Sequence, residues 1–489
     1  MRILLVALNA KWIHPSLALR LLKANLGEYE GDAEIMEFAL RQRLVEKTGP
    51  VLAARPEILG ISVSIWNHRQ TLELLAALEE AWGRGVPKPV VVLGGPEVSF
   101  LPEGAELFRH ADWVIRGEGE RAFRELCGRL LRGGSCGAGE EPRPADGPRF
   151  IDAAPLPLED IRSAYHYYRE EDLRRKLVYV EASRGCPYSC EFCLSPAERR
   201  LSGGGTAPRE FPLEPFLAEM DSLIRRGARN FKFLDRTFNF HPRRARAIME
   251  FFLERILAER ERLCVHFEMV PSRFPEEIRE IIPRFPPGSL RLEIGVQTFN
   301  PETAARIRRP LDEATTGRTL EFLARNTHAI LHVDLIAGLP GESLAGFGVG
   351  FDRLWQFLDP GSGSSVEIQI GILKLLPGAA IARHSDACGM KYAPDPPYEA
   401  LETAAMPRED LDRLKNFARF WELVMNRRKF PAFAAAFCPP GIPQRTVFWR
   451  FLALADGLLA RFGRNWGIDR RDLEAALAAA LAGEPAGET

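Results

Sequence analysis

Cysteine is scarce in this chain: eight in 489 residues, too few and too unevenly placed for a disulfide scaffold. Cys127, Cys136, Cys264, Cys388 and Cys438 stand alone. No apolar run approaches the roughly 18 residues of a membrane-spanning helix, and the opening MRILLVAL is too short for a signal peptide. The net charge is −1, and the basic residues are scattered rather than blocked. That leaves no electrostatic footprint for nucleic acid or a membrane surface. The expectation is a cytoplasmic protein, kept reduced, with several domains, since 489 residues exceed what one hydrophobic core spans.

Against that scarcity, Cys186, Cys190 and Cys193 fall within one short stretch, Glu181–Pro196, which reads EASRGCPYSCEFCLSP. Thiolates are soft ligands suited to zinc and iron–sulfur sites. A zinc site would want a fourth Cys or His at local spacing, and His166 and His241 are far away. Three ligands without a nearby fourth would leave one iron of a [4Fe–4S] cube open to a small molecule.

The front of the chain alternates β-branched runs with helical segments: Arg2–Leu8, Ile58–Ile65, Pro89–Leu93 and Trp113–Ile115 read as strands. That alternation predicts a doubly wound parallel sheet, which binds ligands beyond the carboxyl ends of its strands. Those ends carry Asn9–Ser16, Ser62–Asn67, Gly94-Gly95-Pro96-Glu97 and Gly117–Glu120. Gly133–Pro148 is rich in Gly, Pro and acid and reads as a linker. From Val178 the alternation resumes, with strands expected at Val178–Glu181, Asn230–Leu234, Cys264–Met269, Leu290–Gly295, Ala329–Ile336 and Glu367–Leu373. Repeated βα units suggest a barrel or partial barrel, with its chemistry at the C-terminal strand ends, directly where the cysteines lie. After Pro394 the pattern is mainly helical. The expected division is 1–132, a linker over 133–175, a barrel over 176–385 and a helical domain over 386–489.

The C-x3-C-x2-C spacing with Phe192 before its last cysteine resembles the signature of the radical S-adenosylmethionine (SAM) superfamily. Two later stretches strengthen the likeness. LEIGVQTFN (Leu292–Asn300) resembles the family's fourth-strand segment, and DLIAGLPGE (Asp334–Glu342) its glycine-rich fifth-strand segment. FLDRTFN (Phe233–Asn239) is similar to the second-strand form of the branch with a cobalamin-binding domain in front. Residues 1–132 resemble that domain, with Ser62 and Gly94-Gly95 in its serine and double-glycine positions. The first loop departs from the family's D-x-H-x-x-G: His14 is present, but Trp12 and Leu17 stand in the Asp and Gly places. The whole order resembles cobalamin-binding radical SAM proteins with a helical C-terminal module.

The resemblance implies an α/β fold made of a Rossmann-like cobalamin domain, a partial (β/α)6 barrel and a helical end. It implies a [4Fe–4S] cluster on Cys186, Cys190 and Cys193, with SAM on its open iron. Contacts to SAM are expected from Phe192, Asp235, Glu293, Gln297, Gly338, Pro340 and Gly341. Asp235 reads equally well as a strand-end cap. Contacts to cobalamin are expected from Asn9, His14, Ser62, Gly94, Gly95, Glu97 and Gly117, with His14 a candidate lower cobalt ligand, a loop residue stacked on Trp12, or one packed under a corrin whose lower face stays open. The implied activity is methylation of an unactivated centre in a small molecule, with electrons from a flavodoxin or ferredoxin. Cyclisation or oxidation without methyl transfer, methylthio transfer and a non-catalytic cobalamin or redox sensor are the other readings.

Overall fold

The computed structural model describes the chain except for residues 133–146, 202, 204, 206, 259–261, 359–364, 439–446 and 484–489. Residues 133–146 of the expected linker therefore lie outside the described residues.

Six parallel strands form the front sheet: β1 (Ile3–Asn9), β2 (Ala33–Ala39), β3 (Ile58–Ser62), β4 (Val90–Gly94), β5 (Trp113–Arg116) and β6 (Arg149–Asp152), in the order β2-β1-β3-β4-β5-β6. The central strands are near-continuous aliphatic runs because helices cover both faces of the sheet. Ser16 starts the first of those helices, Leu17–Ala24, by accepting the Leu19 N–H on its hydroxyl. Two strands differ from the sequence expectation. β2 (AEIMEFA) is an edge strand in which Glu34 and Glu37 interrupt the apolar run. β6 (RFID) lies in what was expected to be linker; Phe150 secures it by packing edge-on against Phe108 at 5.4 Å.

The second sheet also has six parallel strands: β7 (Val178–Val180), β8 (Asn230–Phe233), β9 (Cys264–Met269), β10 (Leu290–Gln297), β11 (Ile330–Ala337) and β12 (Ser365–Ile372). Their spatial order follows the sequence, as in a partial barrel left open between β7 and β12. Side chains alternate between the two faces of each strand. One face packs under helices such as Leu213–Arg225 and Pro242–Ala258, where Phe231, Phe233, Phe252 and Phe267 meet edge to face or tilted. The other face holds the half-buried residues of the lumen.

Both free edges are covered. At β7, the loop after β1 crosses over and Ile13 accepts the Leu177 N–H at 3.1 Å. At β12, the Asn426 side chain acts as a short strand, accepting the Ile368 N–H at 3.1 Å and donating to its carbonyl at 2.9 Å. Asn426 ends a π-helical turn that continues the helix Arg408–Trp421. The C-terminal helices share a single hydrophobic core with the barrel, through Phe351, Phe417, Trp421, Phe448 and Phe451. Among the described residues no helix is long and apolar enough to cross a membrane.

Candidate functional site

After β7 the chain turns onto the mouth of the barrel. Asp235, just beyond β8, holds this turn by accepting the Ala182 N–H at 2.9 Å and the Ser183 hydroxyl at 2.6 Å. Burial raises its carboxyl to about 7 in spite of those two bonds. Of the two roles expected for Asp235, these contacts describe the strand-end clasp. Arg184 follows, paired with Glu181 at 3.0 Å, Glu118 at 2.9 Å and Glu120 at 2.7 Å. Glu118 and Glu120 belong to the rim of the front sheet, so one buried guanidinium joins the two sheets two residues before Cys186. Gly185 takes the bend at a φ of +100°.

The three cysteines are free thiols with polar neighbours. The Cys186 sulfur lies 3.4 Å from the Thr237 hydroxyl. Cys190 accepts from Arg309 Nη1 at 3.7 Å, and Cys193 accepts the Ser195 N–H at 3.5 Å. Burial raises the Cys190 thiol, and Arg309 opposes that rise. Among the described residues no three His, Cys, Asp or Glu converge on a single-ion site. A [4Fe–4S] cube gives each thiolate its own iron and needs no such convergence, so this donor set fits a cluster. Phe192 packs, partly buried, against the barrel core.

Beneath the loop, the inner faces of neighbouring strands bring ionisable residues together. Lys232 meets Glu293 at 2.9 Å and His266 meets it at 3.2 Å. Burial opposes ionisation of Glu293, yet these two partners hold it down at about 2. Both partners meet the same carboxylate oxygen, Oε2, and the side chain is 30% exposed. Glu268 is pushed up to about 7 by burial, with the Glu293 charge adding. Asp334 is pushed up to about 8 by burial and then by Glu293 and Glu268. His332 is lowered to about 4 by burial and the adjacent His266 and Arg291. Lys232, His266, Glu268, Asp334 and Arg309 were all missed from the sequence. A signal existed: in VHFEM, LRLEI and LHVDL an ionisable residue recurs at every second position.

The two downstream segments are linked to each other. Thr298 donates to the buried Glu342 at 2.5 Å, joining the β10 exit to the loop after β11. Gln297 sits at a φ of +76° beside a register shift. Its amide lies over Gly295, where an added Cβ would come within 2.5 Å of it. Gly338 and Gly341 both have a φ of +85°. Arg306 donates to the Pro340 carbonyl at 2.9 Å and crosses Gly341 so closely that a Cβ there would lie 1.7 Å away.

At the front rim most expected side chains already have partners. Asn9 donates to Glu37 at 3.1 Å, and Glu37 also pairs with Arg20 at 2.8 Å. The His14 Nδ1 lies 2.8 Å from the Tyr179 hydroxyl on β7. Burial, then Lys11 and Lys232, lowers its pKa. The Lys176 ammonium lies 5.0 Å from the ring of the exposed Trp12. Glu97, expected at cobalamin, is buried between His68 at 2.8 Å and the Tyr398 hydroxyl at 2.9 Å. Ser62 ends β3, its carbonyl accepting from Asn67 at 3.2 Å. Gly94 accepts the Val63 N–H at 2.7 Å; Gly95 has a φ of +109°, and a Cβ there would lie 2.5 Å from the Val63 oxygen. Gly117, at a φ of +86°, donates to the Ser99 hydroxyl at 3.1 Å.

A three-thiol loop at the mouth of an open parallel barrel, with a Rossmann-like sheet clamped against it, defines a class of two-cofactor protein. Residues 180–348 match the model of the radical SAM superfamily, and residues 3–127 match that of the B12 binding domain. The chain therefore carries a B12-binding domain followed by a radical SAM domain. The cobalamin-dependent radical SAM methyltransferase TokK of Streptomyces tokunonensis is 26% identical over 400 residues, covering 77% of this chain and 54% of TokK. The 2-(S-pantetheinyl)-carbapenam-3-carboxylate methyltransferase of Streptantibioticus cattleyicolor is 26% identical over 383 residues, covering 73% and 52%. The chain thus spans about half the length of these relatives. Among solved structures, cobalamin-bound OxsB superposes with a TM-score of 0.64 at 14% identity, covering 99% of this chain and 75% of OxsB. TsrM of Kitasatospora setae superposes with a TM-score of 0.59 at 18% identity, covering 81% and 78%. These likenesses establish the fold.

Proposed function

We propose that the chain is a cytoplasmic radical SAM enzyme that uses cobalamin and methylates an unactivated centre of a small molecule. The observation that carries this reading is the Arg184 clamp. It ties the front rim, through Glu118 and Glu120, to the segment that opens the cysteine loop, so groups bound on the two rims would face each other. The printed names of TokK and the carbapenam methyltransferase support methyl transfer.

Cys186, Cys190 and Cys193 would hold the cluster, whose electron cleaves SAM, while cobalamin would carry the methyl group. The chain's own part is positioning. Glu268 and Asp334 can accept hydrogen bonds from an ammonium group or ribose hydroxyls entering the lumen. Gly338 and Gly341 keep the loop after β11 tight, and Gly94, Gly95 and Gly117 leave the front rim without side chains where a wide ring must approach. A flavodoxin or ferredoxin would supply electrons. The division into 1–132, 133–175, 176–385 and 386–489 belongs to this reading, with β6 moved into the front unit.

The test is anaerobic reconstitution with iron, sulfide and hydroxocobalamin, then addition of SAM with a low-potential reductant and assay of both SAM products. A methylating enzyme forms 5′-deoxyadenosine and S-adenosylhomocysteine. Formation of 5′-deoxyadenosine alone would point to cyclisation or oxidation without methyl transfer, and formation of neither would refute the reading.

A further inference from the structure

The cysteine loop carries a fourth ionisable residue, Glu191, between Cys190 and Cys193. It is only 2% exposed. Its carboxylate meets Arg308 Nε at 3.0 Å, His384 Nε2 at 2.7 Å and the Arg383 guanidinium. Its main chain is tied to the same two places: the Glu191 N–H donates to the Ile307 carbonyl at 3.0 Å, and its carbonyl accepts the Ile381 N–H at 2.9 Å. One residue therefore joins the loop to the end of the helix Pro301–Arg306 and to the segment after β12. Arg308 reaches it from a left-handed backbone, with a φ of +53°, a conformation that is strained for a non-glycine residue. A carboxylate buried this deeply persists only when it is paired. Neither SAM chemistry nor the methyl transfer proposed above requires a charge here.

We infer that Glu191 is a positioning residue for the cluster: it docks the ligand loop onto two distant segments and sets the charge beside the irons. The inference rests on the cluster reading of Cys186, Cys190 and Cys193. Net charge and hydrogen bonding around an iron–sulfur cluster set its reduction potential. A buried negative charge beside two of the ligands disfavours adding an electron, and Arg308 and Arg383 offset it. Removing Glu191 and removing an arginine must then move the potential in opposite directions.

The experiment uses the full chain, reconstituted anaerobically with iron and sulfide, with iron retention after desalting and an EPR-monitored redox titration as readouts. Glu191→Gln keeps the shape and loses the charge. It is expected to weaken cluster retention by about tenfold, as removal of an outer-shell partner does, and its remaining cluster should titrate at a more positive potential than wild type. Arg383→Gln alters a side chain that is 49% exposed; it should keep its cluster and titrate at a more negative potential. Should Glu191→Gln fail to fold, Arg383→Gln and Arg308→Gln still test the sign. Wild-type iron content and potential in Glu191→Gln, or shifts of the same sign in both kinds of variant, would overturn the inference. A wild-type chain that takes up no cluster would overturn the proposed function with it, whereas normal wild-type loading with unmoved variants would overturn this inference alone.

Discussion

The barrel mouth and the front rim are both built from the carboxyl ends of six parallel strands, yet they present opposite surfaces. The mouth is ionisable. Three thiols stand over a lumen in which Glu268 and Asp334 are raised to about 7 and about 8 by burial. At the front rim, Asn9, Glu97, Glu118 and Glu120 are all engaged with neighbouring side chains. That rim exposes Lys11, the Gly117 backbone and the apolar side chains of Trp12, Ile13 and Trp66. The same architecture thus offers charge and thiolate on one side and shape on the other. A small polar cofactor with a chelating end suits the first, and a broad ring system suits the second.

The largest expected effect falls on the mouth alone. Cys190→Ala should abolish 5′-deoxyadenosine formation by the reconstituted protein while leaving corrin retention at the wild-type level. The converse variant is Gly95→Val, whose Cβ would press on the Val63 carbonyl from a left-handed backbone. It should lose corrin, keep the cluster and cost about 2 kcal/mol of stability, read from denaturant midpoints.

Inside the lumen, Lys232→Met leaves Glu293 with His266 alone and should destabilise the fold by about 2 kcal/mol. It should also change the acid limb of the stability profile. With Glu293 held at about 2, the unfolded chain binds more protons between the ordinary carboxylate range and that value. Wild-type stability therefore rises with pH across that window, and Lys232→Met should flatten the rise in thermal melts.

Asp334 has the opposite sign. Its carboxyl, raised to about 8, keeps a proton in the folded state that the unfolded chain has already lost. Wild-type stability should fall as pH climbs from the ordinary carboxylate range through about 8, and Asp334→Asn should melt higher than wild type at the alkaline end. The smallest effect lies away from both rims: Asn426→Ala uncaps the β12 edge and should cost about 1–2 kcal/mol.

The order of elements was legible because buried parallel strands are aliphatic and amphipathic helices separate them. The barrel strands lie within about two residues of their sequence positions. β2 and β6 escaped notice because an edge strand needs no continuous apolar run: Glu37 in β2 is anchored by Arg20, and β6 is four residues long. The proposed cluster ligands were readable as a set because all three sit on one loop, where spacing in sequence is spacing in space. Other roles depend on partners far along the chain. Glu97 meets Tyr398, 301 residues away, and His14 meets Tyr179, 165 residues away. No local pattern signals such pairs. Glu293 was singled out because its strand motif was recognisable, whereas Lys232, which pairs with it, comes from another strand.

The central claim is that one chain holds two different cofactors on two rims that can be disabled separately. Absorption spectra of desalted protein test it most directly, after anaerobic loading of wild type and Cys190→Ala with iron, sulfide and hydroxocobalamin. Wild type should show both the sulfide-to-iron charge-transfer band and the corrin bands, and Cys190→Ala should lose only the first. A wild-type chain without corrin bands, or a variant that loses both sets together, would contradict the account.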